Sequence, residues 1–477
     1  MFLGWALGAN DAANVFGTAV GTRMVNFTTA AIICSIFVIL GAVISGAGAA
    51  HTLGKLGAVN ALPGAFMAAF AAALAVYLMT KAGLPVSTSQ AIVGAIIGWN
   101  LFTNTVTDAA TLTKIMSTWV LCPILAAIFS AIIFKCTVKG VRWAKMHLLR
   151  VDAYTRLGLI LAGAFGSYSL GANNIANVMG VFVSSSPFND ISVGGFFTMT
   201  SAQQLFLIGA IAIGVGVITY SKRVMLTVGT ELLPLSPIAA WVAVVSHSIV
   251  LFLFASQGLK HLLESNGLPS IPLVPVSSSQ AVVGAVLGIA LVQGGKNFQW
   301  RVFGSISLGW VVTPLIACAI CFVGLFFLQN VFSQKVYQPV AYTISNEVAE
   351  RLEKDGLDVA PLRALNENQF DHAVALADVL NDIKQYGPSE RKKIMVFAKQ
   401  EPILIASTKF TELNRGPLSP ERLKIIQMID GQFYPYEWML RDDLALRSAD
   451  WQKSKDDKYN RDLDRDFEFV VRLFKAK

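Results

Sequence analysis

The stretch "LGANDAANVFGT", residues 7–18, sets an aspartate between two asparagines in an otherwise apolar run rich in glycine and alanine. Residues 170–181, "LGANNIANVMGV", repeat the phrase with Asn174 where the first copy has Asp11. Each copy is followed, in the same order, by a second echo: "LPVSTSQAIVGAIIG" at 84–98 and "VPVSSSQAVVGAVLG" at 274–288. Two phrases recurring in one order define an internal repeat. Its halves run over roughly 1–150 and 151–332, and the second carries extra residues ahead of its hairpin phrase.

The chain around these phrases is built for a bilayer. Of 477 residues, 54% are hydrophobic and 14% charged, with mean hydropathy +0.56, well beyond an ordinary soluble protein. Residues 1–332 hold six acids, Asp11, Asp108, Asp152, Asp190, Glu231 and Glu264, against fifteen Lys and Arg, whereas 333–477 carry 23 basic and 24 acidic side chains. The net +8 therefore belongs to the apolar part, where Lys and Arg mark cytoplasmic loops. Membrane lipid, not nucleic acid, is the partner this implies. Cys34, Cys122, Cys136, Cys318 and Cys321 all lie in or beside apolar segments, which gives no disulfide framework. The "CAIC" at 318–321 has redox spacing but no neighbouring His, and reads as small residues for helix packing. No basic stretch or cleavage site opens the chain, so a removable signal peptide is not expected.

Apolar runs of about 20 residues, the length that crosses a hydrocarbon core, fall at roughly 1–20, 28–50, 111–136, 156–182, 201–220 and 303–330. Between them, 63–98 and 237–292 are apolar stretches broken by a proline-serine phrase and then resumed. Proline removes a helical donor and disfavours helix before it, so each break reads as the turn of a re-entrant hairpin. Three spans and a returning hairpin per half make an odd number of crossings, which inverts the second half relative to the first. The fold class expected is an all-α polytopic membrane protein of this kind, an inverted repeat with broken helices and two re-entrant helical hairpins, in the cell (plasma or inner) membrane. Lys135, Lys139, Arg142, Lys145, Arg150 and Arg156 lie between the halves and place that loop in the cytoplasm, with Lys222 and Arg223 on the same side. By parity both termini then face outward. Only seven residues precede the first "GAND", against about fifteen apolar ones before "GANN", so the first helix is expected to be the shorter. From about 333 the composition is that of a soluble, mostly helical domain, with a helix start at Ser419-Pro420 and helical spacing at Leu463, Phe467, Val470, Val471 and Phe474.

An ionisable group at membrane depth marks a functional site by default. Asn10, Asp11 and Asn14 offer carboxylate and amide oxygens within one turn, the ligands a small hard cation takes, and the glycines around them suggest local unwinding. The plainer reading of Gly4/Gly8 and Gly17/Gly21 is close helix packing. Ser87, Thr88, Ser89 and Gln90, with Ser277, Ser278, Ser279 and Gln280, sit where a helix N-terminus opens and attracts an anion; one hydroxyl per helix suffices for capping, so a run of three points to binding of a tetrahedral oxyanion. Lys81, just before the first turn, either lends charge to that anion or snorkels. His247 is either a proton relay or a satisfied buried histidine, and His51, His147 and His261 stand at span ends.

The phrases "GANDAANVFGTAVGT", "PVSTSQAIVGA", "GANNIANVMG" and "PVSSSQAVVGA" resemble the duplicated signatures of the PiT family of inorganic phosphate transporters over roughly 1–330. The resemblance implies symport of phosphate driven by sodium or protons, with no cofactor. By motif, Thr88, Ser89, Gln90, Ser278, Ser279 and Gln280 would contact phosphate, while Asn10, Asp11, Asn14, Asn173, Asn174 and Asn177 would hold the cation, sodium if the carrier is sodium-coupled. The chain departs from the family in having Asn174 where Asp is usual, Gln90 and Gln280 where many members have His, and Val38 near a customary Glu. Fewer acids imply fewer coupled cations, with Asp11 the principal ligand.

Three readings compete. Phosphate symport by alternating access leads; sulfate is the close rival, being tetrahedral and carried by a branch that resembles this family. A membrane sensor reporting anion level through the soluble tail is the reading of another class. A homo-oligomer and a regulatory contact through the tail are both compatible with this pattern. Neither a channel nor an enzyme is expected, since no charged ring, nucleophile-base pair or nucleotide loop is present in the membrane part.

Overall fold

The computed structural model describes all residues except 58, 82–85, 184–185, 187, 189–190, 194–196, 232–234, 296–297, 366–367, 384–385, 415, 455 and 476–477. Leu84, Pro85 and Asp190, and the side chains of His51, Arg223 and Glu231, thus lie outside the described residues. The chain forms two compact units, residues 1–103 with 107–337, and 104–106 with 338–477.

Among its described residues the first unit's regular structure is helical apart from one short hairpin, Ile191–Val193 paired with Phe197–Met199. Its first half contains α1 (Phe2–Gly21), α2 (Phe27–Ser45), α3 (Ala47–Leu56), α4 (Leu62–Lys81), α5 (Thr88–Thr103) and α6 (Ala109–Ala144). Its second contains α7 (Leu148–Met179), α8 (Ser201–Glu231), α9 (Pro237–Ala255), α10 (Gln257–Ser265), α11 (Ser278–Val292) and α12 (Trp300–Asn330). Among the described residues, six helices are long and apolar enough to cross a membrane: α2, α4, α6, residues 201–222 of α8, α9 and α12. The protein is a multi-pass membrane protein. Its outward faces carry large apolar side chains, Ile124, Ile128 and Ile132 on α6 and Leu315, Phe322 and Phe326 on α12, which suits lipid and would be costly in water. By contrast α1 is buried all round from Leu3 to Val20 except at Trp5, the signature of a helix enclosed by others.

Partners are exchanged between the halves. α1 packs along α8 and α2 along α7; α5 packs along α12 and α11 along α6. Glycines make each approach close enough to exclude a side chain. A Cβ on Gly8 would come 2.0 Å from Ile213 O and one on Gly216 2.1 Å from Trp5 O; on Gly94 it would meet Pro314 O at 2.1 Å and on Gly284 Pro123 O at 2.2 Å. The register of each contact gives direction. Gly94 and Gly98 face Pro314 and Cys318, while Gly284 and Gly288 face Pro123 and Ala127, so both pairs run parallel. Gly4, Gly8 and Gly17 face Gly209, Ile213 and Met225, and α1 likewise runs parallel to α8.

Two expectations need correction. The helices α1 and α7 run unbroken through Asn10–Asn14 and Asn173–Asn177, and no unwinding occurs there. The glycines of both phrases serve contact instead: Gly8 lies on Ile213, and a Cβ on Gly171 would stand 2.1 Å from Val38 O. In the hairpins, α4 ends at Lys81 and α5 begins at Thr88, while α10 ends at Ser265 and α11 begins at Ser278. The span expected at 28–50 ends at Ser45, because Gly46, whose Cβ would stand 2.3 Å from Ile175 Cγ2, turns the chain into α3.

The first unit extends five residues beyond the change in composition, since Val336 is buried with its carbonyl accepting from Trp99 Nε1 at 3.3 Å. The second unit is mostly helical with two clusters of buried apolar side chains, one within 342–398 plus Tyr436 and one within 403–474. Ser419 accepts from Arg422 N at 3.3 Å and caps the helix Pro420–Met428. Leu463, Phe467, Val470 and Phe474 form the buried face of Asp457–Phe474, with Val471 at its edge.

Candidate functional site

The middle of α1 and the C-terminal end of α7 meet the tips of both hairpins in one buried polar layer. Asn10, Asp11, Asn14, Asn173, Asn174, Asn177, Ser87 to Gln90 and Ser277 to Gln280 are each no more than 5% exposed. Hydrogen bonds connect them across the chain. Asn10 donates to Val86 O at 3.4 Å, in its own half, and Asn14 to Ser278 Oγ at 3.1 Å, in the other. The second half answers in kind: Asn173 donates to Val274 O at 3.1 Å and accepts from Val276 N at 2.9 Å, while Asn177 donates to Ser89 Oγ at 2.8 Å. Each asparagine-bearing helix therefore holds both tips. The tips also touch directly, Ser89 Oγ donating to Val276 O at 3.0 Å.

At the crossing of α1 and α7, Asn174 donates to Asp11 Oδ2 at 3.2 Å and accepts from Asn177 Nδ2 at 3.4 Å. The other carboxylate oxygen, Asp11 Oδ1, has no protein partner, and neither has Asn177 Oδ1. A carboxylate and amide oxygens form a donor set for a hard cation rather than for zinc or copper, which prefer imidazole and thiolate. These two unpartnered oxygens fit such an ion.

The hydroxyl runs divide their work. Ser87 Oγ accepts from Gln90 N at 3.3 Å and Ser277 Oγ from Gln280 N at 3.2 Å, so the first serine of each run caps its helix, and Ser277 also lies 3.1 Å from Ser279 Oγ. The residues after each cap open the helix, where free N–H groups and the positive dipole end favour an anion. Thr88 Oγ1, Gln90 Oε1 and Gln280 Oε1 are buried there without a protein partner.

His247, on α9, reaches the same layer: Nε2 lies 3.0 Å from Ser278 Oγ, and Nδ1 is unpartnered. A lone histidine in an apolar segment reads first as a satisfied core residue, and its contact with Ser278 appears only in the tertiary structure. Cys122 is a further neighbour, its Sγ donating to Ser277 O at 3.7 Å. Lys81 ends α4 and is exposed. His147 caps α7 through Leu149 N at 3.3 Å, and His261 pairs with Glu264 at 3.7 Å, both on exposed surface. Cys318 serves helix contact, its carbonyl 2.4 Å from where a Gly98 Cβ would stand.

The family model described as "Phosphate transporter family" matches residues 7–321 and 269–377. A curated relative from Methanocaldococcus jannaschii, named "Putative phosphate permease", is 29% identical over 323 residues, covering 68% of this chain and 93% of the relative. The sulfate permease CysP of Bacillus subtilis is 27% identical over 353 residues, covering 70% and 88%. A solved structure titled "The sodium-dependent phosphate transporter" superimposes with a TM-score of 0.53 at 22% identity, over 69% of this chain and 96% of that one, a likeness of fold.

Proposed function

The chain belongs to the phosphate transporter family, whose members are carriers and not enzymes, and from that premise we propose that it is a secondary transporter moving inorganic phosphate together with a sodium ion or a proton. One observation carries the reading: two hairpin tips and two asparagine-bearing helices meet in a buried layer where Asp11 Oδ1, Thr88 Oγ1, Gln90 Oε1, Asn177 Oδ1 and Gln280 Oε1 all lack a protein partner. Folded proteins leave few buried polar atoms unpaired, so five on these tips and helices, with His247 Nδ1 beside them, are accounted for by ligands. Phosphate lies between the helix starts of α5 and α11; the cation lies at Asp11 and the amide oxygens of Asn10, Asn14, Asn173, Asn174 and Asn177.

The exchanged packing and the parallel pairs support two inverted halves, near 1–150 and 151–332, that rock about this layer in alternating access. Asn174 in place of a second acid supports a reduced coupling stoichiometry. Sulfate is a second reading, favoured by the likeness to the sulfate permease of Bacillus subtilis. The test is uptake of phosphate and of sulfate by vesicles containing the full chain, under an imposed sodium gradient or pH gradient. If neither anion moves under either gradient, the proposal fails.

A further inference from the structure

Phosphate and sulfate share size and tetrahedral shape, but near neutral pH phosphate carries acidic O–H groups and sulfate carries none. A site can therefore separate them by what it offers to a proton. Gln90 and Gln280 occupy the same station on the two hairpin tips, three residues after a capping serine that accepts from their own backbone N–H. Both are buried, at 1% and 2% exposure, and both side-chain carbonyl oxygens lack a protein partner. A carbonyl oxygen only accepts, so each needs a donor.

A cation is a poor candidate for that role. Both glutamines sit in the first turn of a helix, α5 and α11, where free N–H groups and the positive dipole end repel cations and draw anions. The group that satisfies both requirements is an anion that itself donates hydrogen bonds.

We propose that Gln90 and Gln280 are the specificity-determining residues of the site: their Oε1 atoms accept from acidic hydroxyls of the bound anion, selecting hydrogen phosphates and arsenates against fully ionised oxyanions. The inference rests on the reading of the hairpin tips as the anion site. With the amides oriented as they stand, sulfate has no hydrogen to give either Oε1 and leaves both without a donor. Sites built around a substrate hydroxyl reject analogues lacking it by factors of about 10⁴–10⁵, and a preference of at least about a hundredfold is expected here.

The experiment is competition against labelled phosphate uptake by the full chain in vesicles, with arsenate, sulfate, selenate and monofluorophosphate as competitors. Arsenate carries acidic hydroxyls; the other three carry none at neutral pH. Arsenate should compete within a few-fold of phosphate itself, and the other three should need at least about a hundredfold more. In Gln90→Met with Gln280→Met, the half-saturating phosphate concentration should rise at least about tenfold while inhibition by sulfate does not weaken, a divergence that general damage to the site would not produce. Phosphate uptake with sulfate or monofluorophosphate competing as well as phosphate overturns the inference and leaves the transport reading standing. No uptake of phosphate or arsenate by the unaltered chain overturns the transport reading itself. Should the Met variants fail to fold, the competitor series on the unaltered chain decides alone.

Discussion

Asn174 donates to Asp11 across 3.2 Å, so the one buried acid of the membrane unit's polar layer is held by the amide standing at its own counterpart position in the repeated phrase. The repeat thus closes on itself at the point where its copies differ.

Asp11→Asn keeps the shape and removes the charge. Gradient-driven anion uptake should fall at least about tenfold, the effect of about 1.4 kcal/mol of lost cation interaction, while helix content measured by circular dichroism stays unchanged. Uptake equal to that of the parent chain would remove Asp11 from the coupling role.

Gly284→Ala should lower the thermal unfolding midpoint in detergent. The added methyl would stand 2.2 Å from the backbone carbonyl of Pro123, which cannot rotate away, and overpacking of this kind costs about 1–3 kcal/mol. Gly140→Ala is the matched control: nothing lies within 4 Å of that Cβ, so alanine's better helix propensity, worth up to about 1 kcal/mol, should leave the midpoint unchanged or slightly raised.

In the second unit, burial opposes ionisation of Glu401, yet Lys399 Nζ at 3.0 Å and Lys475 Nζ at 2.6 Å hold its carboxyl below the usual glutamate range. As pH falls, the unfolded chain takes up this proton before the folded one does, so stability rises with pH across the interval between the two values. The contribution is complete above the unfolded range and disappears as pH falls through the folded one. Glu401→Gln should therefore be less stable than the parent at neutral pH, with the gap closing in acid. Hydrogen exchange of the Asp457–Phe474 helix in the full chain, followed across that range, reads the difference.

Every residue of the polar layer precedes Tyr337. A chain truncated after Tyr337 should keep phosphate uptake within about twofold, as expected when no contact of the bound ligands is removed. Retained uptake with loss of an anion-dependent signal would favour a sensing role for the tail, and loss of uptake would make the tail part of the carrier.

Much of the candidate site was legible because polar side chains in an apolar bundle are conspicuous. The two phrases and their hairpin echoes named fourteen residues, and all fourteen are buried in one layer. What they could not convey was partnership. Gly94 rests on Pro314 and Gly284 on Pro123, contacts between residues far apart in the chain that leave no trace in local periodicity. Glycine beside asparagine was open to two readings, freedom to unwind or room for close approach, and Gly8 and Gly171 take the second. His247 illustrates the limit from the other side: a single histidine in an apolar helix has no pattern to be read, and its contact with Ser278 exists only once α9 and α11 are packed.

The exchange of partners also governs assembly. The returning helix of each hairpin lies on a helix of the other half: α5 on α12 and α11 on α6. A chain cut between Ala144 and Leu148 would yield two fragments, each with an open groove shaped for a helix of the other, and neither could finish folding alone. The short link between α6 and α7 turns that encounter into a search within one molecule, at an effective concentration of order millimolar whatever the abundance of the protein. During synthesis the first half must therefore wait, unfinished, for the second, and the helices it waits longest for are α8 and α12.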